Sequence, residues 1–140
     1  MRNTVKSMAA IMLVLATVSL GGIAWAGELP MMAAKDHPNA SGTLDLSRDK
    51  ISIQAEGLKP DSVYTVWFVN MKPKKSEAGA GTAPYMFKTD SQGKGSYEAP
   101  LSESPFGKWQ MVMVVLHPDD NPKNMRNMVE ALSAKVPEAG

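Results

Sequence analysis

The sequence predicts an all-β fold, an antiparallel immunoglobulin-like β-sandwich of about seven strands. Three observations lead to this prediction. Short segments alternate apolar and polar residues, turn-forming residues recur at intervals of about 8 to 12 residues, and no segment in the middle of the chain has the pattern of a helix that could connect parallel strands. The chain has 140 residues, which is enough for one domain with a single core.

Residues 1–26 have the organisation of a secretory signal peptide. Arg2 and Lys6 precede an uncharged run, and Ala24 and Ala26 are the small residues expected before a cleavage site, which we place after Ala26. An uncleaved membrane anchor is the alternative, because the uncharged run is just long enough to cross a hydrocarbon core. Cleavage predicts a bacterial protein that is periplasmic or secreted and keeps no stable membrane span.

The first part of the remaining chain predicts a tether followed by strands. Residues 27–40 contain two prolines and no sustained period, which indicates an N-terminal tether or a lead-in to the first strand, and the sandwich domain is predicted over residues 41–140. Residues 43–47 and 50–55 both alternate, and the short connection between them predicts a hairpin. Residues 62–70 are apolar on both faces, as in a central strand.

The second part of the chain predicts further strands. Residues 71–81, with a lysine-rich run and two glycines, are predicted as a long surface loop. Strands are expected over 84–89, 96–99 and 108–117. Residues 127–136 are ambiguous, because three apolar residues recur at a helical spacing of four, but we prefer a closing strand on topological grounds.

Composition excludes several functions. The chain has no cysteine, so disulfides, thiolate chemistry and lipid attachment through cysteine are excluded. Loss of the two basic residues with the leader lowers the net charge from +1 to −1. Nucleic-acid binding needs a concentrated cationic surface, so no nucleic-acid partner is expected.

Several structural motifs resemble those of a known family. They are the segment 57–69, the glycine-flanked residues 79–81, the turn 87–93 and the segment 114–122. Together they resemble the extracytoplasmic C-terminal domain of anti-sigma-K type factors. The sigma-binding part of that family is missing here, so sigma-factor regulation is not implied. The resemblance implies a β-sandwich that acts as a secreted sensing or interaction module without chemistry of its own.

No catalytic constellation is evident. The only candidate bases, His37 and His117, have no nucleophile context, and no glycine-rich loop follows a strand and opens a helix. We therefore predict that the protein is not an enzyme and has no catalytic residues. The first functional hypothesis is a periplasmic or envelope interaction module with a protein partner. Within residues 62–70, Tyr64 and Trp67 lie on opposite faces, so one belongs to the core and the other to a surface that could bind.

Methionine suggests a second hypothesis, because eight of the eleven methionines lie after residue 26. Thioethers are soft ligands that prefer Cu(I), and imidazole is a further copper ligand. Strand alternation predicts Trp109, Met111, Met113 and His117 on one side, with Met86 and His37 from neighbouring segments. The Trp109-x-Met111-x-Met113 pattern is similar, with a spacing one residue different, to that of periplasmic copper-efflux chaperones. Core packing is the preferred alternative for Met111 and Met113, because methionine fills irregular cores well.

Overall fold

The computed structural model describes residues 28–138, which form nine antiparallel strands and no helix. The all-β class predicted from the sequence is therefore confirmed. The strands are β1 (Glu28–Ala33), β2 (Ser41–Leu46), β3 (Lys50–Glu56), β4 (Val63–Asn70), β5 (Ser76–Gly79), β6 (Met86–Lys88), β7 (Gly95–Pro100), β8 (Met111–His117) and β9 (Val129–Lys135). The predicted signal peptide over residues 1–26 and its cleavage site lie outside the described residues.

The strands follow one path in the order β5-β4-β8-β9-β1-β2-β3-β7, and β6 pairs with β4 next to β5. Strand β1 joins the two parts of this path. Its residues 28–31 pair with β2, whereas Met32 and Ala33 pair with β9. The described strands thus form one curled sheet, and a division into the two separate layers of an immunoglobulin-like sandwich is not confirmed.

The core lies between the two parts of the curled sheet. On β2 and β3, Leu44, Ile51 and Ile53 face inward, as the alternation of the predicted hairpin requires. From the other part, Val66 and Val114 join the same apolar cluster, and they lie directly opposite each other on β4 and β8. Because both parts bury their apolar faces in this one cluster, neither part has a core of its own.

Two strands occur where the sequence predicted none. The predicted tether, residues 27–40, contains β1, and its Met31 is buried in the core. Pro30 within the strand weakens its local pattern, so pairing with β2 and β9 is what makes this segment extended. The predicted surface loop, residues 71–81, contains β5, which pairs with β4.

The closing strand preferred over a helix for residues 127–136 is confirmed as β9. It pairs with β8 along its length, and a bulge at Val114 and Val115 interrupts the pairing. Such a bulge shifts the side-chain alternation of β9 by one residue, so the segment does not alternate cleanly in the sequence. Its buried residues Ala131, Leu132 and Ala134 show this interrupted pattern.

Candidate functional site

The outer surface of β4, β8, β9 and β1 carries a row of large apolar side chains. Trp67 on β4 lies directly opposite Met113 on β8, Met113 is opposite Ser133 on β9, and Ser133 is opposite Met32 on β1. Directly opposed residues of antiparallel strands share a face, so these four side chains lie in one line across four strands, three of them large and apolar and the fourth, Ser133, small and polar. Met32 is strongly exposed, with 69% of its surface accessible, and Trp67 and Met113 are half-buried.

Neighbouring positions add further methionine side chains to this row. Met111 lies two residues before Met113 and faces Lys135, and Met86 on β6 is opposite Thr65 of β4. We call this surface the methionine–tryptophan face; it consists of Met32, Trp67, Tyr85, Met86, Met111 and Met113. Its methionines on β8 are half-buried and point away from the core, so the preferred interpretation of Met111 and Met113 as core residues is wrong.

Tyr85 belongs to this face, although no pattern in the sequence singles it out. Its ring lies over Gly79 so closely that a Cβ at residue 79 would come within 2.1 Å of the ring. Gly79 is opposite Trp67, and the Tyr85 and Trp67 ring centroids are 5.7 Å apart. The signal available in the sequence was the glycine next to a strand that carries tryptophan, but only the pairing of β5 with β4 shows which aromatic residue covers it.

A chain of hydrogen bonds holds Trp67 from below. The indole Nε1–H donates to Thr65 Oγ1 at 2.8 Å, and Thr65 Oγ1 lies 2.6 Å from His117 Nε2. His117 Nδ1 lies 3.1 Å from the carbonyl oxygen of Asn124. A carbonyl can only accept, so Nδ1 carries the proton of the neutral imidazole; its Nε2 then accepts, and the Thr65 hydroxyl donates to it. His117 was a candidate from its place in the sequence, whereas no pattern in the sequence singles out Thr65.

His117 is therefore part of the support of this face and not of its surface. Only 1% of its surface is accessible, and both ring nitrogens have hydrogen-bond partners. A metal ion could reach neither nitrogen unless one of these bonds broke. The structure thus brings His117 close to Trp67 through Thr65, but leaves it without a free ligand atom.

His37 lies on the other side of β4. Its Nε2 is 3.0 Å from the hydroxyl of Tyr64, a core residue that also accepts a bond from the backbone N–H of Lys59. Burial lowers the pKa of His37, and the backbone of Glu130 and the Asp36 carboxylate oppose this shift only in part. His37 Nδ1 is buried without a hydrogen bond of normal geometry among the described residues. The two histidines thus lie on opposite sides of β4, His37 beside Tyr64 and His117 beneath Trp67.

Trp109 does not share the methionine–tryptophan face. It precedes β8 in a turn in which its backbone N–H donates to the carbonyl of Pro105, so the strand alternation does not extend to it. Its ring stacks on Phe68 of the core, with centroids 6.0 Å apart. Of the six predicted copper ligands, the structure brings Met86, Met111 and Met113 onto one face and buries His117 on the same side of β8, beneath Trp67. His37 and Trp109 lie elsewhere.

The opposite outer surface, on β2, β3 and β7, has a different composition. Apart from Pro100 at the end of β7, its outward residues are polar or charged, among them Thr43, Asp45, Lys50, Ser52, Gln54, Ser96 and Glu98. Lys50 and Glu98 form an ion pair of 2.7 Å across β3 and β7. The two outer surfaces are therefore unequal, one hydrated and one rich in methionine and aromatic residues, although both belong to the same curled sheet.

The described part of the chain contains no group of three histidine, aspartate or glutamate side chains placed to hold a metal ion. Methionine sulfur atoms are not among these ligands. Within residues 28–138, no helix has the length and apolarity needed to cross a membrane. Comparison of the chain with models of protein families, with curated proteins and with solved structures gave no match.

Proposed function

We propose that this protein is an exported, non-catalytic binding module that uses the methionine–tryptophan face to bind an apolar segment of a partner protein in the bacterial envelope. The contrast between the two outer surfaces is the observation that supports this function. A sheet surface that only meets water is expected to alternate with polar residues, as β2, β3 and β7 do. The surface of β4, β8 and β1 departs from that pattern.

The chemistry of the face suits protein recognition. Methionine side chains are unbranched and polarizable, so they adapt to different apolar partners. Tryptophan is enriched among the residues that contribute most to protein–protein affinity. The hydrogen bonds from Trp67 to Thr65 and onward to His117 hold the indole in place before binding, which reduces the entropy lost in the complex.

The proposal is tested by photo-crosslinking from defined positions. A photoactivatable residue replaces Met113 on the methionine–tryptophan face or, as the matched control, Gln54 on the polar surface. We expect a discrete adduct with one envelope protein from position 113 and none from position 54. Adducts that form equally from both positions, or from neither, would contradict the proposal.

The captured partner then allows an affinity measurement. Trp67→Leu removes the ring and Met113→Gln makes the face polar, and each is expected to weaken binding of the purified partner by about tenfold or more. Gln54→Ala is the control and should leave the affinity unchanged. Circular dichroism of each variant verifies that the fold is retained.

Cu(I) binding is a second candidate function, supported by the three half-buried thioethers of Met86, Met111 and Met113 on the surface that also presents Trp67. Same-face neighbours on a strand are about 6.5 to 7 Å apart, so flexible methionine side chains can converge on one ion. A copper site predicts that the protein removes Cu(I) from a moderate-affinity chelator with quenching of tryptophan fluorescence.

The variants for the copper test are matched. Replacing Met111 and Met113 by leucine should abolish Cu(I) uptake, whereas Met125→Leu, at an exposed methionine in a loop, should not. Failure of the unmodified protein to compete with the chelator would exclude this candidate. It would leave the protein-binding proposal intact, because apolar contacts with a partner protein need no copper.

A further inference from the structure

A groove lies at the end of the sheet where β4 ends and β8 begins, beside the end of β9. Its volume is about 850 Å³, and its lining comes from residues 70–73 and 107–111 and from Lys135, Val136 and Glu138. This volume is within the range of pockets that bind small molecules, about 300 to 1,000 Å³. It shares Met111 with the methionine–tryptophan face, and its other lining residues lie outside that face.

Two amide side chains fix the walls of this groove. Asn70 Nδ2 donates to the carbonyl of Lys108 at 3.0 Å, and its Oδ1 accepts from the backbone N–H of Gln110 at 2.8 Å. The Gln110 side chain accepts from the backbone N–H groups of Met71 and Lys72 and donates to the carbonyl of Lys72. Because these amides bond the backbone, the groove is held open in the free protein and has little ordering to undergo on binding.

Because the amide groups of Asn70 and Gln110 bond the backbone, the apolar side chains of the lining remain for contact with a ligand. Trp109 is half-buried and rests with one ring face on Phe68, which fixes its orientation. Met71 and Met111 also line the groove, and Met71 is 51% exposed. Thioether sulfur atoms make favourable contacts with aromatic rings, so this lining is suited to a flat aromatic body.

Lysines dominate the charge around the groove. Lys72, Lys108 and Lys135 line it together with one carboxylate, that of Glu138. Lys108 forms an ion pair with Glu103, but neither Lys72 nor Lys135 forms one with any residue in the described part of the chain. The groove thus combines an apolar lining with an excess of positive charge at its rim.

From this combination we propose that the groove binds a small aromatic anion, an aryl carboxylate or aryl sulfonate whose ring lies against Trp109 between Met71 and Met111 and whose anionic group is held by Lys72 and Lys135. Both parts of the ligand are required. The aromatic ring of the ligand makes the apolar contact with Trp109, and the two lysines select the anionic group. No polar group of the groove wall has to give up an existing hydrogen bond.

A pair of matched probes tests this proposal. 8-Anilinonaphthalene-1-sulfonate has the aromatic body and one anionic group, and N-phenyl-1-naphthylamine has the same body without the sulfonate. Fluorescence titration of the folded protein should give saturable binding of the sulfonate at a single site, and the neutral amine should bind at least about fivefold more weakly, as expected for the loss of contacts with exposed charges. Equal affinity for the two probes would overturn the proposal.

Variants locate the site. Lys72→Gln combined with Lys135→Gln should weaken binding of the sulfonate by about fivefold or more, whereas Lys59→Gln combined with Lys123→Gln, at exposed lysines outside the groove, should have no effect. An equal loss in both double variants, or in neither, would overturn the proposal. Met113→Gln should leave the binding of the sulfonate unchanged, so failure of the protein-binding proposal and failure of this one are distinguishable.

Discussion

Among single residues, Thr65 links two others of the candidate site through its hydroxyl. Its hydroxyl is fully buried, accepts the indole N–H of Trp67 and donates to His117. The hydroxyl therefore satisfies one polar atom of β4 itself, the indole N–H of Trp67, and one of β8, Nε2 of His117. Nothing in the alternation of β4 distinguishes Thr65 from an ordinary β-branched residue.

Thr65→Val keeps the shape of this side chain but removes its hydroxyl. We expect a loss of about 2 to 3 kcal/mol in the free energy of unfolding, because His117 Nε2 and the Trp67 indole N–H both lose their partner. Urea unfolding followed by circular dichroism measures the change. Thr43→Val, on the exposed polar surface, is the control and should change stability by less than about 0.5 kcal/mol. Equal stability of the two variants would contradict the hydrogen-bond chain.

His37 introduces a dependence of stability on pH. Burial lowers its pKa in the folded protein below the ordinary value of 6.5, so between these two pKa values the unfolded chain binds a proton that the folded chain does not. The stability contributed by neutral His37 is therefore fully present above about pH 6.5 and is lost as the pH falls from there toward the folded pKa.

His37→Gln tests this pH dependence. Glutamine keeps a polar group that can bond the Tyr64 hydroxyl but does not titrate. We expect the loss of stability between pH 7.5 and pH 5.5, measured by urea unfolding, to be smaller in the variant than in the unmodified protein. An identical loss in both proteins would show that His37 titrates alike in the folded and unfolded states.

At the scale of elements, the turns differ in how closely they pack. Gly93 in the turn before β7 and Gly107 in the turn before β8 have nearly equal positive φ angles, 79° and 76°. A Cβ at residue 93 would lie 2.2 Å from the carbonyl oxygen of Leu58, whereas at residue 107 its nearest neighbour would be 3.5 Å away. The two positions therefore share backbone strain but differ in steric room.

This pair of glycines gives a matched comparison. Gly107→Ala should cost about 1 kcal/mol in unfolding free energy, because alanine is strained at positive φ. Gly93→Ala should cost at least about 1 kcal/mol more, since the backbone of Leu58 must also move. Thermal or urea unfolding of both variants measures the difference. Equal costs would contradict the close approach of Gly93 to the carbonyl oxygen of Leu58.

Strand β1 is the element that the sequence predicted as a tether. In a strand, adjacent side chains point to opposite faces, so Met31 and Met32 lie in very different environments. Met31 is 6% exposed and Met32 is 69% exposed. We expect mild peroxide treatment of the folded protein to oxidise Met32 well before Met31, as quantified by peptide mass spectrometry. Similar oxidation rates would indicate that this segment is not paired in the sheet, and unfolding in urea should equalise the two rates.

At the scale of the whole molecule, β1 and the shared core make the curled sheet one folding unit. Leu44 and Ile53 on one part and Val66 and Val114 on the other belong to a single apolar cluster. Opening one part would expose the apolar face of the other, so partial unfolding has little to stabilise it.

We therefore expect a single cooperative unfolding transition for residues 28–138. Far-ultraviolet circular dichroism and tryptophan fluorescence should give coincident midpoints in urea. Leu132→Ala, which creates a cavity at a fully buried residue, should lower the free energy of unfolding by about 2 to 5 kcal/mol and shift both midpoints together. Separate midpoints for the two signals would mean that the two parts of the sheet unfold independently.

The amino-acid sequence by itself determined the all-β class, the hairpin of β2 and β3, the central strand β4 and the opposite placement of Tyr64 and Trp67, because side-chain alternation along a strand is a local property. It also identified the methionines of β8 as unusual. On β8, however, both faces are apolar, so the local pattern could not decide which one meets the core.

Only the tertiary structure decided that question, together with the positions of β1 and β5, the separation of His37 from His117 and the displacement of Trp109 from the strand. Each of these depends on which segment pairs with or packs on which, as with β1 between β2 and β9 or Tyr85 over Gly79. Pairing partners far apart in the chain leave no periodic signal in either segment, because strand pairing is set by non-local backbone hydrogen bonds and burial.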